Sequence, residues 1–158
     1  MPRRAVLISL LGAAAAAMTA CGVSTASVSS TPLNASPVTT ATVAVATNPK
    51  LGQILVDGSG RTLYLFVADT GTTSTCSGQC AQYWPPLLTS GQPIAGTGAN
   101  ASLLGTTPRS DGSTEVSYAG HPLYYVQTDK SPGDTTGQAV NNYGALWYVV
   151  GPDGKQIT

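Results

Sequence analysis

The hydrophobic positions of this chain follow the two-residue period of β-strands over most of its length. Three pairs of strand-like segments each flank a turn sequence: 53–56 and 62–67 around Asp57-Gly58-Ser59-Gly60, 103–106 and 114–118 around Ser110-Asp111-Gly112, and 146–150 and 155–157 around Gly151-Pro152-Asp153-Gly154. The turn residues tolerate the backbone angles that hairpin loops require. The pattern therefore predicts three hairpins.

Helical periodicity is nearly absent. No window of a dozen residues keeps a helical period, and the best helical candidate is one or two turns between Ser77 and Trp84, which are stopped by Pro85 and Pro86. The alternation of Val and Ala over 42–46 indicates a further strand. We therefore predict a small antiparallel all-β domain that begins near residue 39.

A ten-residue stretch occurs twice at an offset of 60. Residues 60–69 (GRTLYLFVAD) lie over residues 120–129 (GHPLYYVQTD) with four of ten positions identical. A tryptophan follows each final aspartate, Trp84 by 15 residues and Trp147 by 18. The shared order of turn glycine, Leu-Tyr strand, aspartate and tryptophan indicates two degenerate repeats, at about 50–90 and about 100–155.

The first 21 residues have the organisation of a lipoprotein signal. Two arginines precede an uncharged, apolar and small-residue stretch over 5–20, and small residues then precede Cys21. A lipoprotein signal peptidase cleaves before such a cysteine, whose thiol takes the lipid. We expect a signal peptide at 1–20 and membrane attachment through lipid, because no segment approaches the ~20 apolar residues of a span. An ordinary secretory signal is the alternative, and the paired arginines leave twin-arginine export open.

The residues after Cys21 have the composition of a disordered segment. Residues 22–48 carry no charge, and 11 of these 27 are Ser or Thr. Such a segment buries too little apolar area to offset its backbone entropy. We expect a flexible Ser/Thr-rich tether at 21–38, whose hydroxyls are candidates for glycosylation, and the all-β repeat domain at 39–158.

Charge excludes one class of partner. Without residues 1–20 the chain has five basic and seven acidic residues, a formal net charge of −2. No basic patch remains to bind nucleic acid. The sequence does not identify a protein or small-molecule partner.

These motifs resemble the bacterial secreted-repeat lipoproteins of unknown function, whose signature is Tyr-x-aromatic-x-x-Asp. Residues 64–69 match the signature, and residues 76–86, with two cysteines and Trp-Pro-Pro, resemble the block that follows it; the second copy departs at Val126. The resemblance spans about 42–154 and implies a lipid-anchored protein on the extracytoplasmic face of a bacterial cell membrane. It implies no activity. Its motif residues here are Tyr64, Phe66, Asp69, Trp84, Tyr124, Asp129 and Trp147.

Cys76 and Cys80 are the two thiols left once Cys21 is acylated. Their spacing in a Gly/Ser loop allows a disulfide, which suits an exported protein and contributes about 2 kcal/mol. The alternative is a redox pair or a Cu(I) site completed by His121, the only histidine. Zinc would need a further ligand from a carboxylate. A structural disulfide is the favoured interpretation, and no metal or cofactor is predicted.

The duplicated aspartates are the candidates for catalysis, because a two-fold duplication can bring Asp69 and Asp129 together as an acid/base pair. The favoured interpretation is that each ends a strand and caps the next loop. The motif aromatics are expected in the core rather than on a ligand platform. His121 is expected as an exposed turn residue without a recognisable serine partner. We therefore predict a non-enzymatic binding or structural module, with a redox or copper-handling protein as the alternative.

Overall fold

The predicted all-β architecture is confirmed in the computed structural model, which describes residues 39–158. The signal peptide at 1–20, Cys21 and the tether at 21–38 lie outside the described residues. Within 39–158 the elements are β1 Thr42–Asn48, β2 Gly52–Asp57, β3 Tyr64–Phe66, α1 Gln79–Tyr83, β4 Ile94–Ala95, a 3₁₀ turn Ala101–Leu103, β5 Leu104–Pro108, β6 Thr114–Tyr118, β7 His121–Pro122, β8 Val140–Asn142 and β9 Ala145–Val149. No helix in this part of the chain is long and apolar enough to cross a membrane.

The strands form three sheets of three strands each, in the orders β2-β1-β4, β3-β9-β8 and β5-β6-β7. All pairs are antiparallel except β1 with β4. The β1–β2 hairpin, which the sequence patterns did not predict, turns at Asn48, whose side-chain oxygen accepts hydrogen bonds from the amides of Lys50 and Leu51. A side chain that bonds its own turn in this way stabilises a tight reversal.

Of the three predicted hairpins, the one between 103–106 and 114–118 is confirmed as β5 and β6. The predicted pairing of 53–56 with 62–67 is confirmed next to the turn, where Val56 and Thr62 form a bridge and the Leu63 amide donates to the Leu55 carbonyl at 3.0 Å. It is wrong from Tyr64 onward, where β3 pairs with β9 instead. All three residues of β3 are buried. A strand that is buried on both faces lies inside the molecule, where its neighbours are other core strands. The last predicted hairpin is confirmed around its turn, where Val150 and Gln156 form a bridge and the Ile157 amide donates to the Val149 carbonyl at 2.9 Å.

Two apolar clusters form the core, and β3 lies between them. Tyr64 and Phe66 point into the first cluster together with both tryptophans, whereas Leu65 points into the second. The alternation follows from the two-residue period of the strand.

The two repeats are interlaced. β3 of the first repeat pairs with β9 of the second, and the amide of Val150 donates to the carbonyl of Leu63 at 3.2 Å. The same exchange occurs in the opposite direction, where the amide of Leu87 donates to the carbonyl of Leu123 at 2.8 Å. Each repeat thus supplies the segment after its tryptophan to the strand of the other.

Candidate functional site

The two motif tyrosines meet at the centre of the molecule. The amide of Tyr64 donates to the carbonyl of Tyr124 at 2.9 Å, and the amide of Tyr124 donates to the carbonyl of Tyr64 at 2.9 Å. This reciprocal pair marks an approximate two-fold axis that relates the repeats, so equivalent residues lie on opposite sides of it.

Across this axis the tyrosines and aspartates of the motif exchange hydrogen bonds. The Tyr64 hydroxyl donates to Asp129 Oδ2 at 2.7 Å, and the Tyr124 hydroxyl donates to Asp69 Oδ2 at 2.6 Å. Burial, together with the aspartate bonded to each hydroxyl, raises the pKa of both tyrosines above its usual range. The hydroxyls therefore stay protonated and donate.

Each aspartate also closes the loop that follows it. Asp69 Oδ1 accepts hydrogen bonds from the amide and the hydroxyl of Thr75, at 2.7 and 2.6 Å. Asp129 Oδ1 accepts the equivalent bonds from Thr136, at 2.9 and 2.6 Å. Both carboxylates thus accept three hydrogen bonds, in the loop-capping arrangement that the sequence analysis favoured over an acid/base pair.

The motif aromatics form a continuous stack inside the first cluster. The Trp84 and Trp147 rings are parallel, with their centroids 3.9 Å apart. The Phe66 ring also stacks on Trp147, with a centroid distance of 4.1 Å. Tyr64 and Tyr124 contact the tryptophan of their own repeat edge-on, at 5.5 and 5.2 Å. Edge-on contacts are favourable for aromatic pairs, and all five rings are fully or almost fully buried. The aromatics thus lie in the core rather than on a ligand platform.

A buried ion pair, which the sequence analysis did not single out, lies beside Tyr124. Arg109 Nη1 donates to Glu115 Oε2 at 2.5 Å and to the hydroxyl of Ser74 at 2.7 Å. The Tyr124 hydroxyl uses its one hydrogen to bond Asp69. It must therefore accept from the Ser74 hydroxyl, 2.6 Å away. The bonds therefore run in one direction from Arg109 to Asp69. The sequence did contain a signal for this ion pair. Arg109 and Glu115 flank the Ser-Asp-Gly turn, and hairpin geometry brings such flanking residues together.

Glu115 is the most strongly perturbed carboxyl in the network. Its side chain has no exposed surface, and among the described residues its Oε1 has no hydrogen-bond partner. Burial raises its pKa to about 8, against the lowering effect of Arg109. Glu115 therefore stays protonated to a higher pH than an exposed carboxyl does, and Arg109 stabilises its charged form as an ion pair above that pH.

The predicted disulfide between Cys76 and Cys80 is confirmed, with a Cα–Cα distance of 5.2 Å. Both cysteines are buried, and the carbonyl of Cys76 accepts a hydrogen bond from Arg109 Nη2 at 2.6 Å. No group of three His, Cys, Asp or Glu residues within 39–158 could hold a metal ion. Cys76, Cys80 and His121 therefore do not assemble the Cu(I) site of the alternative interpretation.

His121 is not the exposed turn residue that the sequence suggested. It lies half-buried in β7, where Tyr118 is its β6 partner. It borders a cleft of about 360 Å³, lined by Leu65, Phe66, Val67, Asp69, His121, Lys155 and Gln156. Its exposed apolar surface comes from Val67, which is 46% exposed, because Leu65 and Phe66 are almost fully buried.

Comparison with known proteins agrees with the internal symmetry. The model of the family described as a secreted repeat of unknown function matches residues 45–88 and again residues 105–151. No curated protein and no solved structure gives a significant match to the chain. The two matched stretches together cover more than half of the sequence and confirm the resemblance given by its motifs. The chain therefore belongs to the family of secreted repeats of unknown function.

Proposed function

We propose that this protein is a lipid-anchored module on the extracytoplasmic face of a bacterial membrane, with a binding or structural role and no enzymatic activity. The observation that carries the proposal is the exchange between the repeats, in which Tyr64 bonds Asp129 and Tyr124 bonds Asp69. The most reactive groups of the motif thus hold the two halves together.

The state of the carboxylates supports a role without catalysis. A general acid or base must reach the proton of a substrate. Asp69 is buried, and Asp69 and Asp129 each bond a threonine and a tyrosine. A substrate would have to displace these bonds to reach either carboxylate.

The proposed location rests on the family and on the cysteines. Secretion is the description of the family that the chain belongs to, and the Cys76–Cys80 disulfide suits an oxidising compartment. Cys21 follows small residues at the end of an apolar segment, as in lipoprotein signals. Two or more acyl chains are needed for stable anchoring.

Acylation tests the anchor directly. The full chain, expressed in a bacterial host with labelled palmitate, is expected to carry the label and to partition into the detergent phase. Cys21→Ala is expected to lose both properties. Cys76→Ala with Cys80→Ala is the matched control, because it removes the other two thiols and should keep the label. Label retained by Cys21→Ala would refute lipid anchoring at this residue.

A further inference from the structure

The approximate two-fold axis relates the β1–β2 hairpin of the first repeat to the β5–β6 hairpin of the second. The amide of Leu55 in β2 donates to the carbonyl of Val150 at 2.8 Å, and the amide of Val116 in β6 donates to the carbonyl of Leu87 at 2.8 Å. Val150 and Leu87 belong to the segments that the repeats exchange. Leu55 therefore corresponds to Val116, and this pair fixes the alignment of the two hairpins.

Two buried positions of the aligned hairpins differ in charge. Ile54 precedes Leu55 and corresponds to Glu115, and neither side chain has any exposed surface. Asn48 and Arg109 stand at equal distances before these residues along the chain, and both are buried. The first hairpin thus has a neutral pair where the second has an ion pair. Because one hairpin is built without it, the ion pair is not required by the architecture.

The arginine and the asparagine each hold a loop that follows a motif aspartate. Arg109 Nη2 donates to the carbonyl of Cys76 at 2.6 Å, and Asn48 Nδ2 donates to the carbonyl of Gly133 at 3.0 Å. Arg109 Nη1 also donates to the hydroxyl of Ser74 at 2.7 Å. The two segments are the first loop, residues 70–76, and the second loop, residues 130–137. A charged side chain therefore fastens the first loop, and a neutral side chain fastens the second.

Glu115 is enclosed on both sides of its strand. Thr107 of β5 and Leu88 lie opposite it, and neither carries a charge. Its Oε2 accepts a hydrogen bond from Arg109, whereas its Oε1 has no partner within residues 39–158. An ionised carboxylate with one bare oxygen in the interior is unfavourable. Loss of the proton therefore favours a motion that lets water reach Oε1.

Other acids near Glu115 add to this effect. The negative charge of Asp69 raises the pKa of Glu115, and the exposed Asp111 shares Arg109, with an oxygen 3.9 Å from its Nε. The Tyr124 hydroxyl stays protonated and donates to Asp69. Arg109 is thus the charge that favours the ionised form of Glu115, and it is shared with a second carboxylate.

Opening of the first loop supplies the missing water, because this loop is the segment that Arg109 ties down. While the loop is closed, burial raises the pKa of Glu115 from 4.5 to about 8. Hydration in the open form returns the pKa towards its ordinary value. The open form then binds fewer protons, so its population rises with pH across this interval and levels off above about 8.

We propose that the first loop opens when Glu115 releases its proton to solvent and closes when the proton returns. The cluster that carries the proposal is the fully buried carboxyl with its bare oxygen, the shared arginine and the loop that the arginine holds. The Cys76–Cys80 disulfide fixes the far end of the loop to α1, so the opening is local. The second loop, fastened by Asn48, stays closed over the same pH range.

Hydrogen exchange at two corresponding amides, followed by ¹H–¹⁵N NMR, tests the proposal in the full, oxidised chain carrying Cys21→Ser. The Thr75 amide donates to Asp69 Oδ1 at 2.7 Å, and the Thr136 amide donates to Asp129 Oδ1 at 2.9 Å. After correction for the intrinsic pH dependence of exchange, protection at Thr75 is expected to fall about threefold to tenfold per pH unit between about pH 5.5 and 7.5. Protection at Thr136 should stay constant. An equal pH dependence at the two amides would overturn the proposal.

Two single variants assign the effect to one carboxyl. Glu115→Gln keeps the shape of the side chain and removes its titration, so the fall in protection at Thr75 should disappear. Asp111→Asn is the matched control, because it removes an exposed carboxylate beside the same arginine and should keep the fall. A fall that persists in Glu115→Gln, or one that disappears in Asp111→Asn as well, would contradict the role of Glu115.

Two further measurements keep the proposal falsifiable if Glu115→Gln does not fold. In ¹³C NMR of the parent, the Glu115 carboxyl is expected to titrate near its raised pKa of about 8; a midpoint below about 5.5 would leave no proton to release in this range and would refute the proposal. Arg109→Asn with Glu115→Ile copies the neutral hairpin and should make protection at Thr75 as insensitive to pH as at Thr136. A pH dependence that remains at Thr75 in this variant would also refute it.

Discussion

Removal of the Tyr124 hydroxyl tests whether the exchange between the repeats stabilises the fold. Tyr124→Phe keeps the ring against Trp147 and deletes a hydrogen bond of 2.6 Å to Asp69. A hydrogen bond to a charged group contributes about 1.5–3 kcal/mol, with the upper part of the range when the acceptor left behind is buried. Asp69 is only 5% exposed, and Ser74 loses its acceptor as well. We expect a loss of about 2–3 kcal/mol.

Tyr64→Phe is the matched control, because it makes the same change at the related position. Its acceptor, Asp129, is half-buried rather than buried, so water can replace the hydroxyl. We expect a smaller loss of about 1 kcal/mol.

Chemical denaturation of the two variants and of the parent, all carrying Cys21→Ser, measures the free energies of unfolding. The melting temperature should fall in parallel, by about 3–6 °C for each kcal/mol lost, in a folded region of 120 residues. Equal losses in the two variants, or a loss below about 0.5 kcal/mol for Tyr124→Phe, would refute the argument from burial.

Two further predictions concern the network beside Tyr124. Cys76→Ser with Cys80→Ser is expected to cost about 2 kcal/mol, seen as a melting temperature several degrees lower; an unchanged melting temperature would show that the disulfide is not structural. Because the folded state raises the pKa of Glu115 from 4.5 to about 8, the folded protein binds more protons in this interval and stability should fall as pH rises through it. Glu115→Gln should flatten this dependence, and an equal slope in variant and parent would assign it to another group.

Local sequence signals accounted for the class of fold and for its duplication. Alternating apolar positions mark strands through their two-residue period, and Asp-Gly pairs mark the turns between them. The repeated Leu-Tyr…Asp order indicates two copies from the sequence alone. The disulfide could be predicted because its two cysteines are four residues apart, so that chain geometry alone restricts their distance.

Long-range partners could not be predicted in this way. The partner of β3 is β9, some 80 residues away along the chain, and the periodic pattern shows which face of a strand is buried without showing which strand lies next to it. For the same reason Tyr64 and Asp129 were identified as motif residues but not as partners.

The cleft that His121 borders depends on tertiary structure for the same physical reason. The alignment of the two repeats pairs Leu65 with Tyr125 and Arg61 with His121. Neither difference by itself indicates what these side chains contact. The folded chain places the Arg61 guanidinium over the Tyr125 ring, whereas Leu65 and His121 both line the cleft. The sequence by itself determined the strands, the duplication and the cysteine pair, because these depend on neighbouring residues. Tertiary structure decided the exchange of strands, the buried Arg109–Glu115 pair and the cleft, because these depend on contacts between distant segments.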